Sequence, residues 1–146
     1  MIAWMDGSVV YSKGIGKRAG CAIVSTNGAY YTQPLGDMGS NLAELAALEL
    51  AVEKASFRET CLLYTDSKFV YNLYYSRTNV RHGKKIMHRL RDQVALKRLD
   101  LVIMPQPKGK SFNMVARLVD NLAKMCAREQ KESHGYIEWV RNVNSD

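Results

Sequence analysis

Apolar residues recur along this chain with two periods, and the order in which those periods alternate predicts its architecture. Residues 2–6, IAWMD, form a short apolar run followed by the turn-forming pair Gly7-Ser8, which predicts a strand ending at Asp6. The runs GCAIVST (20–26) and AYYTQPL (29–35) flank Asn27-Gly28, a pair that tolerates positive φ and so predicts a hairpin. NLAELAALELAVEKA (41–55) is rich in Ala, Leu and Glu and is preceded by Ser40, which predicts a helix starting around Ser40-Asn41. TCLLYTD (60–66) reads as another apolar strand closed by an aspartate, and SKFVYNLYYS continues it as a helix capped by Ser67. A basic amphipathic helix is expected over about 84–97, a strand at DLVIMP (100–105), and a last long helix over 113–130. The C-terminal HGYIEWVRNVNSD predicts one more short helix or a tail.

The order is β-β-β-α-β-α-α-β-α. An antiparallel meander of three strands followed by βαβ crossovers implies an α/β fold: a mixed five-stranded sheet, three strands antiparallel and the rest parallel, flanked by helices. A length of 146 residues suits one domain with one core, expected over about 1–130, with 131–146 as a C-terminal extension.

Composition narrows the class. With 47% hydrophobic and 24% charged residues the chain has a globular rather than a disordered balance. Its apolar runs are too short to span a bilayer and its N-terminus lacks the pattern of a signal peptide, so a cytoplasmic monomer with no membrane partner is the expectation. Cys21, Cys61 and Cys126 show no CxxC spacing and no histidines at ligand intervals, and are read as buried reduced thiols. A net charge of +7 with pI near 9.4 favours a polyanionic partner. The stretch 77–98, RTNVRHGKKIMHRLRDQVALKR, is the most basic part.

Four acids then stand out. Asp6 and Asp66 each end an apolar strand and precede a small residue, in MDGS and TDSK. If those strands are parallel neighbours, both carboxylates emerge at the edge where α/β sheets hold ligands; taken singly, each is equally a cap for the next turn or helix. Glu44 has Asn41, Ala47 and Leu48 as helical neighbours, an apolar stripe where an unpaired charge is costly and a cation would be a fitting partner. Asp120 lies on a strip with Ala116, Ala123 and Ala127, suited to close packing against a sheet; an ion pair with Arg117 or Lys124 is the plainer alternative. Glu49 and Glu53 occupy another face and read as solvated acids. Four convergent oxygen donors suit hard cations such as Mg²⁺ or Mn²⁺, and two such ions about 3.5–4 Å apart form a clamp for phosphoryl transfer. In a basic protein this suggests a nuclease.

The pieces MDGS (5–8), NLAELAALELA (41–51), LLYTDSKFVYN (62–72) and VARLVDNLAKMCA (115–127), in this order, resemble the type 1 ribonuclease H domain. The resemblance implies a ribonuclease H-like fold and an endoribonuclease that cuts the RNA strand of RNA/DNA hybrids, leaving 5′-phosphate and 3′-hydroxyl ends. It implies that Asp6, Glu44, Asp66 and Asp120 are catalytic and hold two Mg²⁺ ions, with Mn²⁺ as a substitute. Asp6 would bridge both, Asp120 would serve the ion that activates water, and Glu44 and Asp66 the one that stabilises the leaving 3′ oxygen. Ser40 and Asn41 match positions that read 2′-hydroxyls, which distinguishes RNA from DNA. Gly7, Ser8 and Ser67, beside the acids, are likewise expected at the substrate.

The sequence departs from the family in two places. Where family members commonly carry a loop histidine before the last helix, an ungapped count from Asp120 falls on Lys110, which is too basic to act as a base at neutral pH but can attract a phosphate. His82, His88 and His134 lie elsewhere and read as surface residues. The basic region also lacks the tryptophan of the family's substrate handle, leaving Arg77, Arg81, Lys84, Lys85, Arg89 and Arg91 as a reduced basic face for the hybrid. GIGK (14–17) lacks the spacing of a phosphate loop and precedes a strand; in the family it is a loop near substrate, where Gly14, Lys17 and Arg18 would approach the backbone. The competing readings are a hybrid- or duplex-binding module of the same fold with weak or no cleavage, and a nuclease for another nucleic-acid duplex.

Overall fold

The computed structural model describes residues 1–76 and 82–143, so Arg77 and Arg81 lie outside the described residues. Its elements are β1 (Ile2–Ser12), β2 (Gly16–Ser25), β3 (Ala29–Gly36), α1 (Ser40–Lys54), β4 (Thr60–Thr65), α2 (Lys68–Ser76), α3 (Lys84–Lys97), β5 (Asp100–Pro105), α4 (Lys110–Glu129), β6 (Ser133–Tyr136) and α5 (Glu138–Val143). They build a mixed sheet in the order β5-β4-β1-β2-β3-β6, with β1/β2, β2/β3 and β3/β6 antiparallel and β1/β4 and β4/β5 parallel.

Three sequence expectations need correction. The sheet has six strands rather than five, because the segment expected as a helix or tail contributes β6 before the short α5. Every residue of β6 is exposed, so no apolar alternation announces it. Its ladder to β3 holds it, together with the Thr32 hydroxyl, which accepts the Ser133 amide at 2.9 Å and lies 2.7 Å from the Ser133 hydroxyl. The second correction is at Asp6, which does not end its strand: β1 runs on to Ser12. Gly7 is there to let a helix approach, since a Cβ on it would overlap the backbone of Ala43 and Glu44 in α1. Third, Glu49 is not a free solvated acid but receives a two-pronged bond from Arg89, at 2.9 and 3.0 Å.

Helices cover both faces. One core packs Ala3, Met5, Cys21, Ile23 and Leu63 of the strands against Leu45, Leu48 and Val52 of α1, Val70 of α2 and Leu90 of α3. The other places Trp4, Ala22 and Val24 against Val115, Val119 and Ala123 of α4 and Val140 of α5. Consecutive strand residues thus enter opposite cores, as the period of two requires. Burying each of the larger aliphatic side chains contributes about 1.5–3 kcal/mol. Gly20, on the α4 face, leaves room for the backbone at Ala123 and Ala127. At the far end of α1, the Lys97 ammonium bonds the carbonyls of Val52, Glu53 and Ala55 at 3.0, 2.7 and 3.0 Å, satisfying acceptors that the helix end leaves open. Cys21, Cys61 and Cys126 are free and buried, as expected. No helix among the described residues is long and apolar enough to cross a membrane.

Candidate active site

Strand register brings the first two acids level. The β1/β4 pairing joins Ile2 to Leu62, Ala3 to Leu63 and Trp4 to Tyr64, and continuing it by two residues sets Asp6 opposite Asp66. Asp66 is exposed just beyond the end of β4, whereas Asp6 is buried inside β1. Because Trp4 faces α4, Asp6 two residues on faces it too, and there it shares a hydrogen bond with Asp120. From the opposite face, the approach allowed by Gly7 brings α1 and its Glu44 to the same point. One carboxylate oxygen each from Asp6, Glu44 and Asp66 lies within 4.8 Å of the others. Asp120 stands outside that trio, joined to Asp6 by the hydrogen bond and to Lys124 by an ion pair of 2.9 Å. Asp120 thus lies beside the trio, linked to it through Asp6, and carries the helix-surface ion pair with Lys124 that the plainer reading expects.

Electrostatics follow from this crowding. Burial, followed by the charge of Asp66, the hydrogen bond and charge of Asp120 and the charge of Glu44, pushes the Asp6 carboxyl up to about 8. Burial also raises Glu44, opposed by a hydrogen bond from Ser67 and reinforced by Asp66. Ser67 is itself pinned: its hydroxyl accepts the Val70 amide at 3.1 Å, capping α2, and its amide donates to the Thr65 hydroxyl at 3.0 Å. The α2 cap therefore orients Glu44, a link that the TDSK motif contains but does not reveal.

The other expected site residues are placed as follows. Ser8 and Ser67 are buried and Gly7 half-buried, so these three shape the site from beneath. Ser40 and Asn41 are exposed on the first turn of α1, one turn before Glu44. Lys17, half-buried on β2, lies 3.6 Å from Asp37. Lys84 and Lys85 are exposed at the start of α3, immediately after Gly83, which packs on Leu45 and Leu42 and so sets the basic end of α3 against the early turns of α1. Of the remaining basic residues, Arg89 is engaged by Glu49 and Arg91 donates to the Tyr74 carbonyl at 3.1 Å. Lys110 is exposed and opens α4 rather than sitting in a loop, ten residues and so about 15 Å of helix from Asp120. His82, His88 and His134 are exposed, as expected. The sequence reading missed a cleft beside Asp66, lined by Tyr71 and Gln106 among others, because these two residues of its walls are 35 positions apart in the chain.

Carboxylates gathered where the parallel pairing of β1 with β4 runs out, in a mixed sheet covered by helices, define a candidate site for metal-assisted phosphoryl transfer. The model of the RNase H family matches residues 1–141, and the chain belongs to that family: it is a ribonuclease H. Among solved structures it is similar to a foamy viral protease–reverse transcriptase in complex with dsDNA, at 24% identity over 88% of this chain and 94% of that one, with a TM-score of 0.63. It is similar also to the foamy viral protease–reverse transcriptase in complex with RNA/DNA hybrid, at 23% identity over 88% of this chain and 20% of that one, with a TM-score of 0.65. A third likeness is to a selenomethionine-labelled CSH mutant of the prototype foamy virus protease–reverse transcriptase, at 23% identity, 86% and 20% coverage and a TM-score of 0.60. The chain thus spans about one fifth of the last two proteins. These likenesses establish the fold. No curated protein matches the sequence.

Proposed function

We propose that the chain is a divalent-metal-dependent endoribonuclease that hydrolyses the RNA strand of RNA/DNA hybrids, leaving 5′-phosphate and 3′-hydroxyl ends. The observation that carries this reading is the meeting of Asp6, Glu44 and Asp66 within 4.8 Å, with Asp120 bonded to Asp6. Family membership supports the reaction class, and the foamy viral structure with RNA/DNA hybrid supports the substrate.

The donor set fits Mg²⁺, with Mn²⁺ as a substitute. It consists of carboxylate oxygens alone, and burial together with the neighbouring acids pushes the Asp6 carboxyl up to about 8, a crowding of negative charge that a cation would relieve. Asp6, Glu44, Asp66 and Asp120 would hold two ions. Ions bound there supply the polarisation of water and the neutralisation of the leaving 3′ oxygen. The chain's own part is positional. Ser67 aims Glu44, Gly7 admits α1, and Asp120 is carried to Asp6 by α4. Ser40 and Asn41, exposed at the head of α1, read the 2′-hydroxyl, and Lys17, Lys84, Lys85 and Lys110 attract backbone phosphates.

The test is cleavage of a labelled hybrid in Mg²⁺ and in Mn²⁺, beside the Asp66→Asn variant and a chelator control. Cleavage lost in both controls is expected, together with 3′-hydroxyl ends on the products. Cleavage that continues with Asp66→Asn or without divalent ions overturns the reading.

A further inference from the structure

Beside Asp66 the surface sinks into a cleft of about 370 Å³ between the first turns of α2 and the end of β5, where Lys68, Tyr71, Asn72, Pro105 and Gln106 line it. That size, and a wall of apolar surface with a few polar groups, is the makeup of a small-ligand site. Tyr71 is its aromatic wall and keeps 39% of its surface exposed. The ring is braced from behind: Tyr75 packs on it at 4.9 Å between centroids and 56°, and Tyr74 meets Tyr75 edge-on at 5.1 Å. Tyr75 is itself fixed to the sheet, since its hydroxyl accepts the Ile103 amide at 2.8 Å and donates to the Ile103 carbonyl at 3.0 Å. Strand β5 thus holds Tyr75, and Tyr75 holds Tyr71, so the platform is ordered before any ligand arrives and binding pays less to order it.

We propose that this cleft takes one unpaired nucleobase from a single-stranded flank of the substrate, stacked on Tyr71, with the flank's phosphate beside Lys68. The inference rests on the nuclease reading, which puts the cut phosphodiester at Asp66, on the rim of the cleft. A base inside a duplex has both faces covered by its neighbours, so an aromatic wall is of use only to a base that has left the stack. Every base has a π face, which makes such a site tolerant of sequence. The amides of Asn72 and Gln106 each offer donors and an acceptor to a base edge. Lys68 and the net charge of +7 suit a polyanionic strand. The enzyme would accordingly favour hybrids that end, fray or pass into single strand close to the cut.

Fluorescence anisotropy tests this with the full chain in chelator, so that nothing is cut. The probes are a blunt RNA/DNA hybrid, four hybrids carrying a short tail on one of the four strand ends, and the same tails made abasic. At least one tailed hybrid should bind about ten-fold more tightly than the blunt one, and its abasic counterpart should lose that advantage. Tyr71→Leu should lose it and Tyr71→Phe should keep it. The abasic tails on the wild-type chain decide the matter even if Tyr71→Leu folds poorly. Equal binding of blunt and all tailed hybrids, or an advantage that survives removal of the base, overturns the proposal. Cleavage of the blunt hybrid in Mg²⁺ by the same wild-type preparation is scored separately: its absence sinks the nuclease reading, while the binding series still decides whether the cleft holds a base.

Discussion

Asp6 and Asp120 share a hydrogen bond between strand β1 and helix α4, and two carboxyl groups can do so only while one of them keeps a proton. Burial and three surrounding acids hold that proton on Asp6 up to about pH 8. Adding Mg²⁺ to the metal-free chain at pH 7 should therefore release protons. Calorimetric titration in buffers of different ionisation heat measures the number, and Asp6→Asn should release fewer. Heats that do not depend on the buffer would contradict the shared proton.

The same group sets a pH dependence of stability. Its pKa is raised from 3.8 in the unfolded chain to about 8 in the fold, so the native state binds the extra proton between those values. The contribution of Asp6 to stability is therefore fullest below about pH 4 and is lost as pH rises through about 8. Glu44, also raised by burial, acts in the same direction. The metal-free chain should melt at progressively lower temperature from pH 6 to pH 9, and Asp6→Asn should flatten that slope. Parallel slopes for the two proteins would refute the assignment.

Gly7→Ala tests how the site is assembled. The added methyl meets the backbone of Ala43 and Glu44, so α1 must move away from β1 and carry Glu44 from Asp6. Overpacking of this kind costs about 1–3 kcal/mol. We expect lower stability in urea together with weaker Mg²⁺ binding, measured on the fraction that remains folded. Val10→Ala, farther along β1 and adding no bulk, is the control. Wild-type metal affinity in Gly7→Ala would show that the close approach is unnecessary.

Lys97→Met isolates the far end of α1. Three carbonyls lose a charged donor while the aliphatic stem is kept, which should cost about 1–3 kcal/mol. Urea unfolding should show a lower midpoint with an unchanged slope. Hybrid cleavage per folded molecule should stay as in the wild type, since Lys97 is at the opposite end of α1 from Ser40 and Asn41.

Lys110→Ala addresses the missing histidine. Lys110 opens α4 with its side chain exposed, so its contribution is attraction of phosphate. Slower turnover or weaker hybrid binding, strongest at low salt, is expected, with metal-dependent cleavage retained. Wild-type behaviour at every salt concentration would make the residue a bystander.

Much of this was legible in the sequence because the signals were local. The alternation in IAWMD, the Asn27-Gly28 turn and the Ala-Leu-Glu stretch at 41–55 each encode their own element, and the four acids sit in motifs whose order is visible without coordinates. What escaped depends on contacts between distant segments. Gly7 resembles a turn residue until α1 is laid against it, and β6 has no buried face to betray it. Glu49 reads as solvated until Arg89, forty residues on, closes over it. Nothing near Tyr71 in the chain points to Gln106.

The bonds of Tyr75 to Ile103 also bear on how this protein behaves in a concentrated solution. β5 is an edge strand, and its residues point their amides alternately inward and outward: Asp100 and Gln106 bond back to Glu59 and Thr65 of the β4 segment, which leaves Leu101, Ile103 and Pro105 facing out. Pro105 has no amide to offer and the groups of Ile103 are occupied by a phenol, so an incoming strand loses two of the three outward donors it would pair with. A tyrosine on the second helix thereby keeps this border of the sheet from acting as a template for aggregation.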